Sequence, residues 1–148
     1  MIQRKQTLFL LQLLLFSVAM LFIPLQIIYS KLSPQYLCLV PLVNFTSTVG
    51  HFAAIALNFL GLILAVVTIF LFKKRELQVK LCYVLIIIWL ILLAMIAFCP
   101  LVAKTDDIEV KTTYFGYLCC SFAILGAYLA TVFIKKDIEL IKSADRIR

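Results

Sequence analysis

Five cysteines, a single histidine and one tight acidic cluster are the residues of this chain whose types could support chemistry. Cys38, Cys82, Cys99, Cys119 and Cys120 suggest thiol redox, in which a thiolate attacks a disulfide. That chemistry generally relies on a Cys-x-x-Cys pair with a lowered thiol pKa. The chain has no such pair, and the adjacent Cys119 and Cys120 do not replace it. Thiols serving as small buried apolar groups are the simpler expectation, with a Cys38–Cys99 disulfide as the alternative in an oxidising compartment. His51 stands alone at the start of an apolar run, which suits an interfacial residue better than a metal ligand or catalytic base. Asp106-Asp107-x-Glu109 offers carboxylate oxygens of the kind hard cations take. Lys104 and Lys111 flank that cluster and favour a solvated loop. No Ser-His-carboxylate set, phosphate-cradling glycine loop or pair of catalytic acids can be assembled. The expectation is a protein with no enzymatic activity, cofactor or metal.

The elements that would hold such residues are membrane helices. Hydrophobic residues make up 65% of the 148 positions and charged residues only 14%, outside the range of soluble globular domains. Four apolar runs at 7–28, 51–72, 81–102 and 113–134 would each form about 33 Å of helix, against a hydrocarbon core of about 30 Å. Too little chain remains to bury a separate soluble core. The fold class expected is therefore all-α: one membrane domain over 1–148, a four-helix up-down-up-down bundle. Its outer loops would be 29–50 and 103–112, its inner loop 73–80 and its tail 135–148. Arg4 and Lys5 before an apolar stretch, with Ser17-Val18-Ala19 as a cleavage site, also describe a secretory signal. Continuation of the stretch to Ile28 favours a span, with Pro24 permitting a kink near its outer end.

Orientation follows from Lys and Arg in the short loops. Arg4 and Lys5, then Lys73, Lys74, Arg75 and Lys80, then Lys135, Lys136, Lys142, Arg146 and Arg148 form three basic clusters, which places both termini in the cytoplasm. The other loops carry only Lys31, Lys104 and Lys111. Tyr29, Tyr36, Tyr114 and Tyr117 fall near the outer interface and Tyr83 near the inner one, as aromatic belts do. The net charge of +7 abuts apolar helices and forms no single stripe, so anionic lipid is the expected partner and nucleic acid is not.

Small residues indicate where helices would touch, since close van der Waals packing drives association in lipid. Gly50, Ala54, Asn58, Gly61, Ala65 and Thr68 recur at steps of three or four, as do Gly116, Cys120, Ala123, Ala127 and Ala130. These stripes are expected at helix contacts, with Asn58 hydrogen-bonding across them. Gln12 and Gln26 are the other amides in the runs. The loop from Ser30 to Gly50 is unusually apolar. Leu37, Leu39, Leu42, Val43 and Phe45, broken by Pro34 and Pro41, suit short extended pieces over the bundle's outer mouth, with a partner surface as the alternative. Asn44-Phe45-Thr46 formally matches a glycosylation acceptor.

The opening Met1-Ile2-Gln3-Arg4-Lys5-Gln6-Thr7 and the closing Lys136-Asp137-Ile138-Glu139-Leu140-Ile141-Lys142-Ser143-Ala144-Asp145-Arg146-Ile147-Arg148 resemble the family known as domain of unknown function 4293. The resemblance covers the whole chain and is most specific over Ser143 to Arg148. It implies a small four-helix membrane protein of the bacterial inner membrane, typical of Bacteroidetes. It supplies no activity and no catalytic residue. Arg4, Lys5, Asp145, Arg146 and Arg148 could build a cytoplasmic docking surface for a protein or for lipid, or serve only as a solvated anchor. Asp137, Glu139 or Asp145 could pair with Arg4 or Lys5. The role expected is a noncatalytic scaffold or accessory subunit; a small-solute transporter or thiol-redox protein with an unrecognised site is the alternative.

Overall fold

The computed structural model describes residues 3–22, 26–30, 34–37, 49–72, 74–102, 108–112 and 114–145, with side-chain surroundings given for 6–22, 53–72, 74–98 and 114–143. Four helices carry the architecture: α1 (Gln3–Phe22), α2 (Val49–Phe70), α3 (Arg75–Val102) and α4 (Tyr114–Asp145). α1 packs on α2 and α4, and α3 packs on the same two helices, closing a four-membered ring. Each contact is antiparallel. Gln6 meets Asp137 and Met20 meets Cys120 along α1 and α4. Gln78 reaches Thr68 across the α2–α3 turn. Arg75 pairs with Asp137 between α3 and α4. The up-down-up-down bundle is thus the observed arrangement.

Three short strands add a feature that an all-helical description omits. β1 (Gln26–Ser30), β2 (Pro34–Leu37) and β3 (Ile108–Thr112) form an antiparallel sheet in the order β2-β1-β3. Ile27 registers with Tyr36 on one side and Lys111 on the other. The sheet therefore ties the connection after α1 to the connection before α4. Gln26 to Ile28, expected at the end of the first apolar run, belong to β1, and helix α1 stops at Phe22. The physical reason on the strand side is Ile27, Ile28 and Tyr29, β-branched and aromatic residues that suit a pleated strand. Pro34 opens edge strand β2, where a missing N–H leaves no central ladder position unpaired. Residues 38–48, and with them Leu39, Pro41, Leu42, Val43 and Phe45, lie outside the described residues.

Among the described residues, three segments are long and apolar enough to cross a membrane: Ala53–Phe70, Arg75–Phe98 and Tyr114–Ser143. The apolar part of α1, Gln6–Phe22, is shorter, about 26 Å at helical rise. The fourth helix runs well past residue 134, because no Gly or Pro interrupts 127–145 and its Lys, Glu, Ile and Leu residues tolerate the helix.

The bundle is apolar outside and carries polar groups within. Leu8, Leu11 and Leu15 on α1, Phe59 and Ile63 on α2, Ile87 and Leu90 on α3, and Leu118 and Leu125 on α4 are exposed. Gln6, Ser17, Asn58, Thr68, Gln78, Thr131 and Asp137 are buried. A protein folded in water shows the reverse bias, whereas in lipid polar side chains turn inward to find partners. Trp89, Leu13, Met20, Leu85 and Leu92 fill one part of the core, and Leu10, Cys82, Ala130 and Ile134 fill a second.

Candidate functional site at the charged end of the bundle

The start of α1, the α2–α3 turn and the last turns of α4 converge at one end, opposite the sheet. Asp137 is the central residue there, with only 4% of its surface exposed. Its carboxylate accepts a hydrogen bond from Gln6 Nε2 and faces Arg75 Nη1 at 3.6 Å. Gln6 Nε2 also approaches the Phe133 carbonyl oxygen at 3.4 Å. One buried anion therefore ties three helices. Among the described side chains its ionic partner comes from the head of α3; the side chains of Arg4 and Lys5, named as partners from sequence, lie outside the described residues. A charge buried inside a helical bundle is costly and retained only with partners. Asp137 is one of three acids in the basic tail, with Glu139 and Asp145, and nothing in its local sequence marks it as the buried one.

Beside this cluster a shallow groove of about 540 Å³ is lined by Lys74, Arg75, Glu76 and Leu77 at the head of α3, and by Ile138, Ile141 and Lys142 on α4. The α4 residues share one face because they recur at i, i+3 and i+4. A turn nearer the sheet, Lys135 Nζ donates to the Tyr83 hydroxyl at 2.7 Å and lies 5.3 Å from the centre of that ring. Of the terminal residues proposed for docking, Asp145 contributes the last helical residue of α4, its side chain not among those described, and Arg146 and Arg148 lie outside the described residues.

Farther into the bundle the polar side chains satisfy one another. Ser17 Oγ donates to Asn58 Oδ1 at 2.8 Å, and Asn58 Nδ2 reaches the Ser17 carbonyl oxygen at 3.4 Å. Ser17→Ala is expected to destabilise the bundle by about 1 kcal/mol, read as an earlier transition in SDS-titrated unfolding from mild detergent; an unchanged midpoint would mean the pair contributes nothing. Gln78 Nε2 donates to the Thr68 carbonyl oxygen at 3.1 Å. Asn58, Gly61, Ala65, Gly116, Cys120, Ala123 and Ala127 are all buried and Ala54 is half-buried. Gly61 faces Trp89 and Ile88, where a Cβ would stand 3.6 Å from the nearest atom. Trp89 Nε1 is buried beside it without a hydrogen-bond partner among the described residues.

A closer approach than that at Gly61 lies at Gly126, which the small-residue stripes did not include. A Cβ there would meet the Phe9 carbonyl oxygen at 3.1 Å. Steps of three from Ala123 and four to Ala130 reach this position, so spacing could have admitted it alongside Ala127. Stacked pairs flank the approach: Phe9 on Phe133 at 5.3 Å and Phe16 on Phe122 at 5.2 Å.

Among the described thiols, Cys82 stands apart from the adjacent Cys119 and Cys120. Cys82, Cys119 and Cys120 are free and buried. Cys82 sits beside Thr131, eleven positions along α4 from Cys120, or about 16 Å of helix. A disulfide needs Cα atoms within about 7 Å. Cys120 Sγ instead contacts Met20 Sδ at 3.9 Å. Cys38 and the side chains of Cys99 and His51 lie outside the described residues, as do Asp106 and Asp107; Glu109 is on β3.

No curated protein and no solved structure matches the chain. A family model described as domain of unknown function (DUF4293) matches residues 2–147. With that match spanning nearly all of its length, the chain belongs to the DUF4293 family.

Proposed function

We propose that this protein is a multi-pass integral membrane protein acting as a noncatalytic scaffold or accessory subunit, with both termini in the cytoplasm of a bacterial cell. The observation that carries the proposal is the inverted polarity of the bundle. Its exterior is Leu, Ile and Phe, while Ser17, Asn58, Thr68, Gln78 and Asp137 are buried within it. The bonds drawn above commit Ser17, Asn58, Gln78 and Asp137 to contacts between helices, while the Thr68 hydroxyl donates to the Leu64 carbonyl oxygen within α2. The basic clusters support the orientation, since the described Lys74, Arg75, Lys80, Lys135, Lys136 and Lys142 belong to one end of the bundle, the bias that marks cytoplasmic loops.

Affinity purification of the tagged chain from native membranes is the direct test of the accessory role. A stoichiometric membrane partner is expected to co-purify reproducibly and to lose abundance when the chain is deleted. Purification of the chain alone, with solute flux in reconstituted vesicles, would overturn the scaffold in favour of transport. Orientation is checked separately: a fluorescent protein fused after Arg148 is expected to fluoresce, and a periplasm-dependent phosphatase there is expected to stay inactive.

A further inference from the structure

We infer that the groove between the head of α3 and the end of α4 is a binding site for an anionic phospholipid, with the phosphate held by Lys74 and Lys142 and the glycerol and upper acyl chain against Leu77, Ile138 and Ile141. This rests on the membrane reading proposed above and adds a ligand and its residues. Charge complementarity comes first. The lining places three cations, Lys74, Arg75 and Lys142, against the single carboxylate of Glu76. Arg75 is already engaged by buried Asp137, so it forms the rigid wall, whereas Lys74 and Lys142 are exposed and can turn toward a ligand. The apolar half of the lining comes second. Leu77 and Ile141 are 43% and 44% exposed at the level of the lysines, a mixture that suits an amphiphile better than a free anion.

Depth within the bilayer comes third. The Lys135–Tyr83 pair has the aromatic and basic character of a membrane interface. Ile138 and Lys142 lie about 4.5 and 10 Å farther along α4 at about 1.5 Å per residue. The headgroup layer is on the order of 5–8 Å thick on each side of the hydrocarbon core. Ile138 therefore falls within the headgroup layer and the Lys142 backbone just beyond it, from where a flexible lysine side chain reaches back to the level of the phosphates. An acidic peptide would share the charge but would have no use for apolar walls at that depth.

The test uses the full chain in mild detergent, titrated with phosphatidylglycerol or phosphatidylcholine, with bound lipid counted by native mass spectrometry. Phosphatidylglycerol is expected to be retained in preference. Lys74→Ala with Lys142→Ala is expected to reduce that retention roughly tenfold or more, since one lysine near an anionic surface is worth on the order of fivefold. Lys80→Ala with Lys136→Ala removes the same charge outside the groove and is expected to leave retention nearly unchanged. Equal losses in the two double variants would show diffuse electrostatics and overturn the site. Displacement of the lipid by inorganic phosphate or by an oligo-glutamate peptide would also overturn it, assigning the groove to a soluble anion or an acidic protein. Release of the wild-type chain from membranes by alkaline carbonate would instead defeat the membrane reading itself, whereas a chain that stays in the membrane without preferring phosphatidylglycerol defeats only the groove.

Discussion

Arg75→Met is expected to destabilise the bundle by about 2–3 kcal/mol, because among the described side chains it leaves the buried Asp137 carboxylate with the Gln6 amide alone as partner. Breaking a buried ion pair from one side typically costs about 3–5 kcal/mol. The smaller figure reflects the guanidinium side, where the Arg75 side chain is 24% exposed and partly solvated. The cost should be largely recoverable. Replacing both partners with apolar residues of similar size removes the stranded charge, and such replacements are often neutral. Arg75→Met combined with Asp137→Leu is therefore expected to be more stable than Arg75→Met alone. SDS-titrated unfolding of the three proteins reads this difference. A double variant no better than the single one would mean that the pair matters for something other than local charge balance.

Gly126→Leu is expected to open the seam between α1 and α4 and to cost about 3 kcal/mol or more, at the upper end of what overpacking does in a filled interior. The cause is backbone, not side chain. A Cβ at this position already stands 3.1 Å from the Phe9 carbonyl oxygen and 3.6 Å from the Leu13 side chain, and a helix carbonyl cannot rotate away. Separation of the helices would also loosen the stacked Phe9–Phe133 and Phe16–Phe122 pairs and pull Gln6 from Asp137. Gly126→Ala separates the two effects. Its gain in helix propensity, about 1 kcal/mol, offsets the mild crowding, so a near-zero net change is expected. Gly61→Ala is expected to be harmless or stabilising, since its nearest neighbours lie at ordinary contact distance. If Gly126→Leu and Gly61→Ala unfold at the same midpoint, the α1–α4 seam is not the tight contact.

Legibility from the chain was uneven for identifiable reasons. The four helices and the family could be read directly, because long apolar runs punctuated by charge leave few folds and the terminal heptapeptide and tail are distinctive. The sheet could not. A five-residue apolar piece such as Gln26–Ser30 is too short for periodicity to separate strand from helix, and its partner β3 lies beyond two intervening helices. The site was less legible still. Lys74, Arg75 and Lys142 were visible as orientation charges, yet nothing local marks Arg75 as the partner of Asp137 or sets Leu77 against Ile141.

The sequence by itself determined the solvent this chain is built for and the number and alternation of its helices. Those properties follow from composition and run length, which act residue by residue through burial and the rise of a helix. Only the tertiary structure decided which polar groups are interior, that α4 meets the α1 backbone closely at Gly126, and that charges from the α2–α3 connection and the end of α4 share one groove. Such outcomes depend on the rotation and register of packed helices. These are set by the sum of many weak contacts along the seams, and no short stretch of the chain encodes them alone.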